Sequence, residues 1–404
     1  MYNFEYDLET SPITNCWETA RTARLNTQEF EIFRGRGGAS FNHAPFLAAV
    51  GSRIFATWSQ GNRDEDALGQ RVALSWSDDL GETWSVPEFI VNTEIGKFST
   101  KVAMALGVRT KDRVMTAYYV SHEFPEEAVN PETSLAYDFA IGMLHSPVQP
   151  VNSAIWAKVS KDQGGSWSKP VKCIDRAGAY TGPEEIKGGR LIMPGANVFF
   201  YTDDPLGLSG WKRSVLPGIN PDSQGIDREN WIGFPGRPHR GLCYMWNESS
   251  LFQTGDGVIH NMLRNGSHKN VFGVTESRDN GETWSEPKLT SYTDQAARPF
   301  FGQLPDGRFF GVTTPYPAWE SWNFFYSSVR TPLVMAISED GVKFDRHFIV
   351  GDEFCGNPRF KGIAKGGMYG YPHFLIMGEW GLVIYSLNNK EDIRIARFKM
   401  KELE

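Results

Sequence analysis

Apolar and polar residues alternate along this chain in short runs rather than in long helical stripes. Four runs stand out: RVALSW at Arg71–Trp76, AIWAKV at Ala154–Val159, NVFGVTE at Asn270–Glu276 and PLVMAI at Pro332–Ile337. Each is rich in β-branched and aromatic residues and reads as a strand. Each is followed by a polar, glycine-containing turn. No apolar stretch approaches the roughly 18 residues of a membrane-spanning helix.

The turns repeat. SDDLGETW (Ser77–Trp84), SKDQGGSW (Ser160–Trp167) and SRDNGETW (Ser277–Trp284) share the pattern S-x-D-x-G-x-[ST]-W. A degenerate copy, SEDGVKF, runs from Ser338 to Phe344, and a weaker echo, TDDPLGLSGW, ends at Trp211. The aspartate can accept backbone N–H groups across the turn, the glycine supplies a φ > 0 position, and the tryptophan returns to the core. The motif is therefore a structural hairpin device, not a catalytic one. Trp84, Trp167 and Trp284 should be buried at equivalent places in three blades. Three good copies predict an all-β chain folded as a single β-propeller over residues 1–404, with six blades or alternatively seven. The blades fall at about 40–98, 99–175, 178–220, 235–292, 294–350 and 355–400, and residues 1–38 supply a closing strand or a cover. Two insertions, Pro125–Pro150 and Pro315–Ser328, are long loops of the kind that carry binding groups; Trp319 and Trp322 in the second could stack on a sugar.

Composition narrows the picture. The 404 residues carry 13% aromatic residues and 41 glycines, in keeping with many short strands and tight turns. A net charge of −7 leaves no basic footprint for nucleic acid. The N-terminal stretch is acidic and lacks an apolar core, so it is not a secretory signal. The expected location is the cytoplasm, or the outside of the cell with the signal absent from this chain. Cys16, Cys173, Cys243 and Cys355 form no CxxC pair and are expected to be free thiols. The histidines show no metal-ligand spacing, and neither metal nor cofactor is expected. Two N-x-S sequons, at Asn247 and Asn265, sit beside candidate site residues, so a glycan there would block the site.

On its Asp boxes the chain resembles the sialidase-like superfamily of propellers. That resemblance implies a carboxylate-binding arginine triad, a Tyr–Glu pair and an acidic proton donor. In NESSLFQTGDGVIHNMLRNGSHKNVFGVTESRDNGETW (Asn247–Trp284), Glu248 and Arg264 match; SSVRTPLVMAISEDG offers Arg330, and GMYGYPHFLIM offers Tyr371. The first blade departs. Where such enzymes carry the first arginine, FNHAPFLAAV (Phe41–Val50) places His43. Arginine gives a permanently charged, bidentate contact, whereas histidine can move a proton near neutral pH.

FNHAPFL, followed by WSQGNRDEDALGQRV (Trp58–Val72), is similar to the propeller lyases that cleave rhamnose–glucuronate linkages. This likeness implies β-elimination on an oligosaccharide or polysaccharide bearing a carboxylate sugar. Arg264 and Arg330 would neutralise the carboxylate, His43 would take the C5 proton, and Tyr371 would protonate the departing oxygen. Glu248, Arg63, Arg71 and His122 are candidate substrate-binding neighbours. Asp64, Glu65 and Asp66 read as a solvated turn, with a catalytic carboxylate among them as the lesser option. Two other classes stand beside the lyase: a sialidase-like hydrolase and a non-catalytic glycan-binding propeller.

Overall fold

The computed structural model describes residues 9–15, 21–65, 67–93, 100–124, 152–195, 198–217, 246–265, 271–315, 329–362 and 365–404. Both long insertions, apart from Pro315, lie outside these residues, as do Trp319, Trp322, Asp66, Cys16 and Cys243.

Two early strands, β1 (Arg21–Arg24) and β2 (Gln28–Phe33), join sheets whose other strands come from the far end of the chain. Between them and the C-terminus the chain makes antiparallel meanders. Blade 1 is β3 (Phe41–Val50), β4 (Arg53–Gly61), β5 (Arg71–Ser77) and β6 (Glu88–Val91). Blade 2 is β7 (Lys101–Lys111), β8 (Val114–Glu123), β9 (Asn152–Ser160) and β10 (Val171–Asp175). Blade 3 is β11 (Glu184–Glu185), β12 (Leu191–Met193), β13 (Val198–Thr202) and β14 (Lys212–Val215). Blade 4 is β15 (Trp246–Gln253), β16 (Ile259–Asn265), β17 (Val271–Ser277) and β18 (Lys288–Thr293). Blade 5 is β19 (Phe300–Gln303), β20 (Phe309–Thr313), β21 (Leu333–Ser338) and β22 (Phe344–Gly351), and blade 6 opens with β23 (Tyr369–Met377), β24 (Trp380–Leu387) and β25 (Asp392–Lys399).

The first strands β15, β19, β23, β3 and β7 pack on one another in succession, β23 on β3 closing the ring, and the six sheets form a six-bladed β-propeller. From the N-terminal segment, β2 is the outer strand of blade 6, antiparallel to β25, and β1 adds a fifth strand to blade 5, parallel to β22.

Each repeat lies between the third and fourth strands of its blade. In blade 1, Asp79 Oδ1 accepts Ser77 Oγ at 2.7 Å and Thr83 N at 2.9 Å, and Asp79 Oδ2 accepts Thr83 Oγ1 at 2.5 Å. Asp162 and Asp279 repeat this pattern. The echo is a true turn as well: Asp204 accepts the backbone N–H groups of Leu206, Leu208 and Ser209 at 3.0 Å each. Blade 6 has no copy because its fourth strand comes from the N-terminal segment, so no hairpin exists there to carry one.

The box also couples neighbours. Its tryptophan joins the cluster of the preceding blade: Trp84 meets Ile384 and Ile395 of blade 6, Trp167 joins Phe55 of blade 1, and Trp284 stacks on Phe199 of blade 3 at 4.4 Å. The positions are equivalent, as the repeat requires. Burial differs from expectation, however. Of the three, Trp284 is buried, whereas Trp84 and Trp167 are half-buried. The turn glycine fits the same seam, since a Cβ on Gly281 (φ +84°) would stand 2.6 Å from Ile192 Cδ1 of blade 3.

Candidate functional site

The first strand of each blade faces the axis, and three of the proposed groups ride on such strands: His43 on β3, Glu248 on β15 and Tyr371 on β23. Arg264 follows on β16, and Arg330 lies just before β21. The ladder breaks where two of these side chains leave it. The β3–β4 register shifts between His43 and Phe46, and the β23–β24 register shifts between Gly370 and His373. Ala44 (φ +51°), Tyr371 (φ +51°), Ala296 (φ +53°) and Arg330 (φ +48°) all sit in the left-handed region, a concentration of backbone strain at one place in the fold.

Glu248, Arg264 and Tyr371 form a triangle. The Tyr371 hydroxyl donates to one carboxylate oxygen of Glu248, and Arg264 Nη1 donates to the other. Arg264 Nη1 also donates to the Tyr371 oxygen at 3.2 Å. Burial pushes the Glu248 carboxyl up, but the Arg264 charge and the two hydrogen bonds outweigh it and hold Glu248 below the usual range. Burial, with the Glu248 charge added, drives the Tyr371 phenol well above its usual value. The proton therefore rests on tyrosine and the negative charge on glutamate.

His43 lies against Tyr371, with ring centroids 3.9 Å apart, and is 1% exposed. Its Nδ1 is 2.7 Å from Ser386 Oγ, and its Nε2 has no hydrogen-bond partner among the described residues. Burial lowers its pKa well below the ordinary value, and the charges of Lys390, Arg330, Arg298 and Arg264 lower it further, so the ring is neutral. The close fit requires a glycine opposite: a Cβ on Gly370 would stand 2.6 Å from Ser386 Oγ and 3.0 Å from His43 Cε1.

Arg330 is buried, and its charge bears on both Tyr371 and Glu248. Nη2 donates to Ala296 O at 3.2 Å, while Nε and Nη1 have no partner among the described residues. A buried guanidinium with two donors unpartnered among the described residues has capacity left for an anion. Asp294, raised by burial to about 7, keeps one oxygen likewise unpartnered among the described residues.

Of the remaining sequence candidates, Glu65 is drawn in. It pairs with Lys390 at 2.6 Å, and its charge acts on Tyr371 and Arg330. Asp64 is buried, so the expected solvated turn is instead packed against the seam between blades 6 and 1. Arg71 stands on the third strand of blade 1, over the Phe89 ring at 3.6 Å and 2.9 Å from Gln60 Oε1. His122 bonds Ser153 Oγ at 2.8 Å in blade 2, and burial lowers it to about 4. Arg63 lies in the loop after β4 with a buried Nε. No described contact brings Arg63, Arg71 or His122 to the axial cluster.

Arg298 was missed. It is 1% exposed and donates to three backbone carbonyls: Tyr180 at 3.1 Å, Pro45 at 3.3 Å and Tyr371 at 3.3 Å. It thereby ties blades 1, 5 and 6 and the linker into blade 3, with its charge over the Phe46 and Tyr371 rings. Burial lowers its pKa to about 10. No motif marks it; a charged residue just before an inner strand was the available signal.

Among the described residues no group of His, Cys, Asp and Glu could hold a metal ion, and no helix is long and apolar enough to cross a membrane. A model for BNR repeat-like domains matches residues 51–384. The chain belongs to the BNR repeat-like family. No curated protein matches it. Solved structures share its fold at low identity. A Dyadobacter fermentans protein of unknown function is 15% identical with a TM-score of 0.60, over 92% of this chain and 99% of that one. Trypanosoma rangeli sialidase is 14% identical with a TM-score of 0.60, over 94% of this chain and 60% of that one. The NanB sialidase of Streptococcus pneumoniae is 14% identical with a TM-score of 0.56, over 92% and 70%. The fold is thus that of sialidase-type propellers.

Proposed function

We propose that this BNR-family propeller is a glycan-cleaving enzyme acting at a sugar that bears a carboxylate, and that it works by β-elimination. The observation that carries the anionic substrate is Arg330, whose buried Nε and Nη1 face no acceptor among the described residues. The resting protonation states favour elimination. His43 is neutral and can accept a proton; Tyr371 holds one and can give it.

In this scheme Arg330 and Arg264 hold the sugar carboxylate and stabilise the enolate that develops beside it. The C5–H bond breaks and its proton passes to His43 Nε2. The electron pair becomes the C4–C5 double bond and expels the C4 oxygen, which takes the Tyr371 proton. Imidazolium and phenolate, side by side, then exchange the proton back. A rhamnose–glucuronate linkage is the substrate that the first-blade motif favours. The test is to incubate the protein with a rhamnose-capped glucuronate oligosaccharide and follow the ultraviolet absorbance of an unsaturated uronate. Growth of that band supports elimination; new reducing ends without it would overturn it.

One observation favours a second reading. The Tyr371–Glu248 hydrogen bond gives the phenol a path to become a nucleophile, with Glu65 as the second carboxylate at the site. That chemistry is sialidase-like hydrolysis, and it releases sugar with no double bond. It must first move a proton from a raised phenol to a lowered carboxylate, which is uphill.

A further inference from the structure

We propose that Ser386 is a positioning residue that fixes the tautomer of His43, placing the hydrogen on Nδ1 and leaving Nε2 as the lone-pair nitrogen. The catalytic consequence rests on the elimination reading above; the tautomer does not.

Ser386 is buried on β24, in register with Gly370 of β23. Its Oγ lies 3.0 Å from Gly370 O, an atom that can only accept, so the single hydroxyl hydrogen is spent there. At His43 Nδ1, 2.7 Å away, Ser386 must then accept, and Nδ1 must donate. A neutral imidazole has one N–H, so Nε2 carries the lone pair. Nε2 is the ring atom with no partner among the described residues, which leaves that lone pair uncommitted. The opposite tautomer would bury an N–H at Nε2 without an acceptor among the described residues and is disfavoured for that reason.

The relay also crosses blades, since His43 belongs to blade 1 and Ser386 to blade 6. A glycine at position 370 is what lets the two approach, because any Cβ there would collide with both. FNHAP alone therefore does not make a base of His43; the last blade sets which nitrogen acts.

The experiment is a ring-proton to ring-nitrogen correlation spectrum of the full chain labelled with ¹⁵N-histidine, His43 being assigned by its loss in His43→Ala. At neutral pH His43 should show the Nδ1–H pattern. Ser386→Ala should convert it to mixed tautomers and Ser386→Thr should restore it. On an elimination substrate, Ser386→Ala should lower kcat by about 10- to 100-fold with little change in KM. An Nε2–H pattern in the unaltered protein overturns the proposal, as does an unchanged Nδ1–H pattern in Ser386→Ala. If Ser386→Ala does not fold, the unaltered protein still decides. An Nδ1–H ring in a protein that forms no unsaturated product leaves the relay standing and removes the elimination reading.

Discussion

The rim and the axis of this propeller treat polar groups in opposite ways. On the rim, Asp79, Asp162 and Asp279 each collect the same set of hydrogen bonds, three times over in three blades. Near the axis every group occurs once, and several are buried with atoms unpartnered among the described residues: His43 Nε2, Arg330 Nε and Nη1, and one oxygen of Asp294. Repetition with full satisfaction marks scaffold. Singularity with unmet hydrogen-bonding capacity is what a ligand site requires.

That contrast can be broken most sharply at His43. His43→Ala should lower turnover by about 10²–10⁴-fold while the thermal midpoint moves little. Activity within a few-fold of the parent would remove His43 from the reaction. Arg330→Leu should weaken binding of a carboxylate sugar by about 10- to 100-fold, the worth of a charged hydrogen bond. The same change should not lower stability, since it replaces an incompletely paired buried cation with an apolar side chain. Calorimetric binding beside a melting curve reads both; a loss of stability would mean that Arg330 is scaffold.

On the rim the signs reverse. Asp279→Ala should cost about 1–3 kcal/mol by stranding the N–H and hydroxyl donors of its turn, with kcat unaltered. Denaturant unfolding measures the first and an initial-rate assay the second. Equal damage to turnover would erase the distinction between the two regions.

The smallest effect concerns pH. Asp294 and Glu184 are raised by burial to about 7 and about 8. The folded chain therefore keeps protons that the unfolded chain releases near pH 4. Stability from these groups is present below that range and fades as pH climbs through 7 and 8. Asp294→Asn should flatten this decline, so its advantage over the parent in melting temperature should be larger at pH 8 than at pH 5. The buried histidines, lowered in the folded state, act oppositely on the acid side and are common to both proteins. An advantage that does not change with pH would mean that Asp294 is ionised throughout.

The rim was legible in the sequence because a hairpin device is local. Ser, Asp, Gly and Trp fall within eight residues, and each contact is set by that spacing. Even the missing sixth copy follows from the chain's closure. The axis was legible only where a family pattern named its members, as for Glu248, Arg264, Arg330 and Tyr371. Arg298 and Ser386 belong to no pattern because their partners lie far away in sequence: Arg298 reaches Pro45, and Ser386 reaches His43. Arg71 and His122 stand on the third strand of blade 1 and the second strand of blade 2, where their described partners are Gln60, Phe89 and Ser153. The Asp64–Glu65 turn read as solvated because its charges were visible while Lys390, its distant counter-charge, was not.

The seam between blades 6 and 1 has a consequence in time. During synthesis β2 leaves the ribosome early and has no sheet to enter until β25, at Asp392–Lys399, has been made. His43 and Tyr371 stand on opposite sides of that seam, so the pairing of β2 with β25 completes the blade that holds the Tyr371 ring against His43.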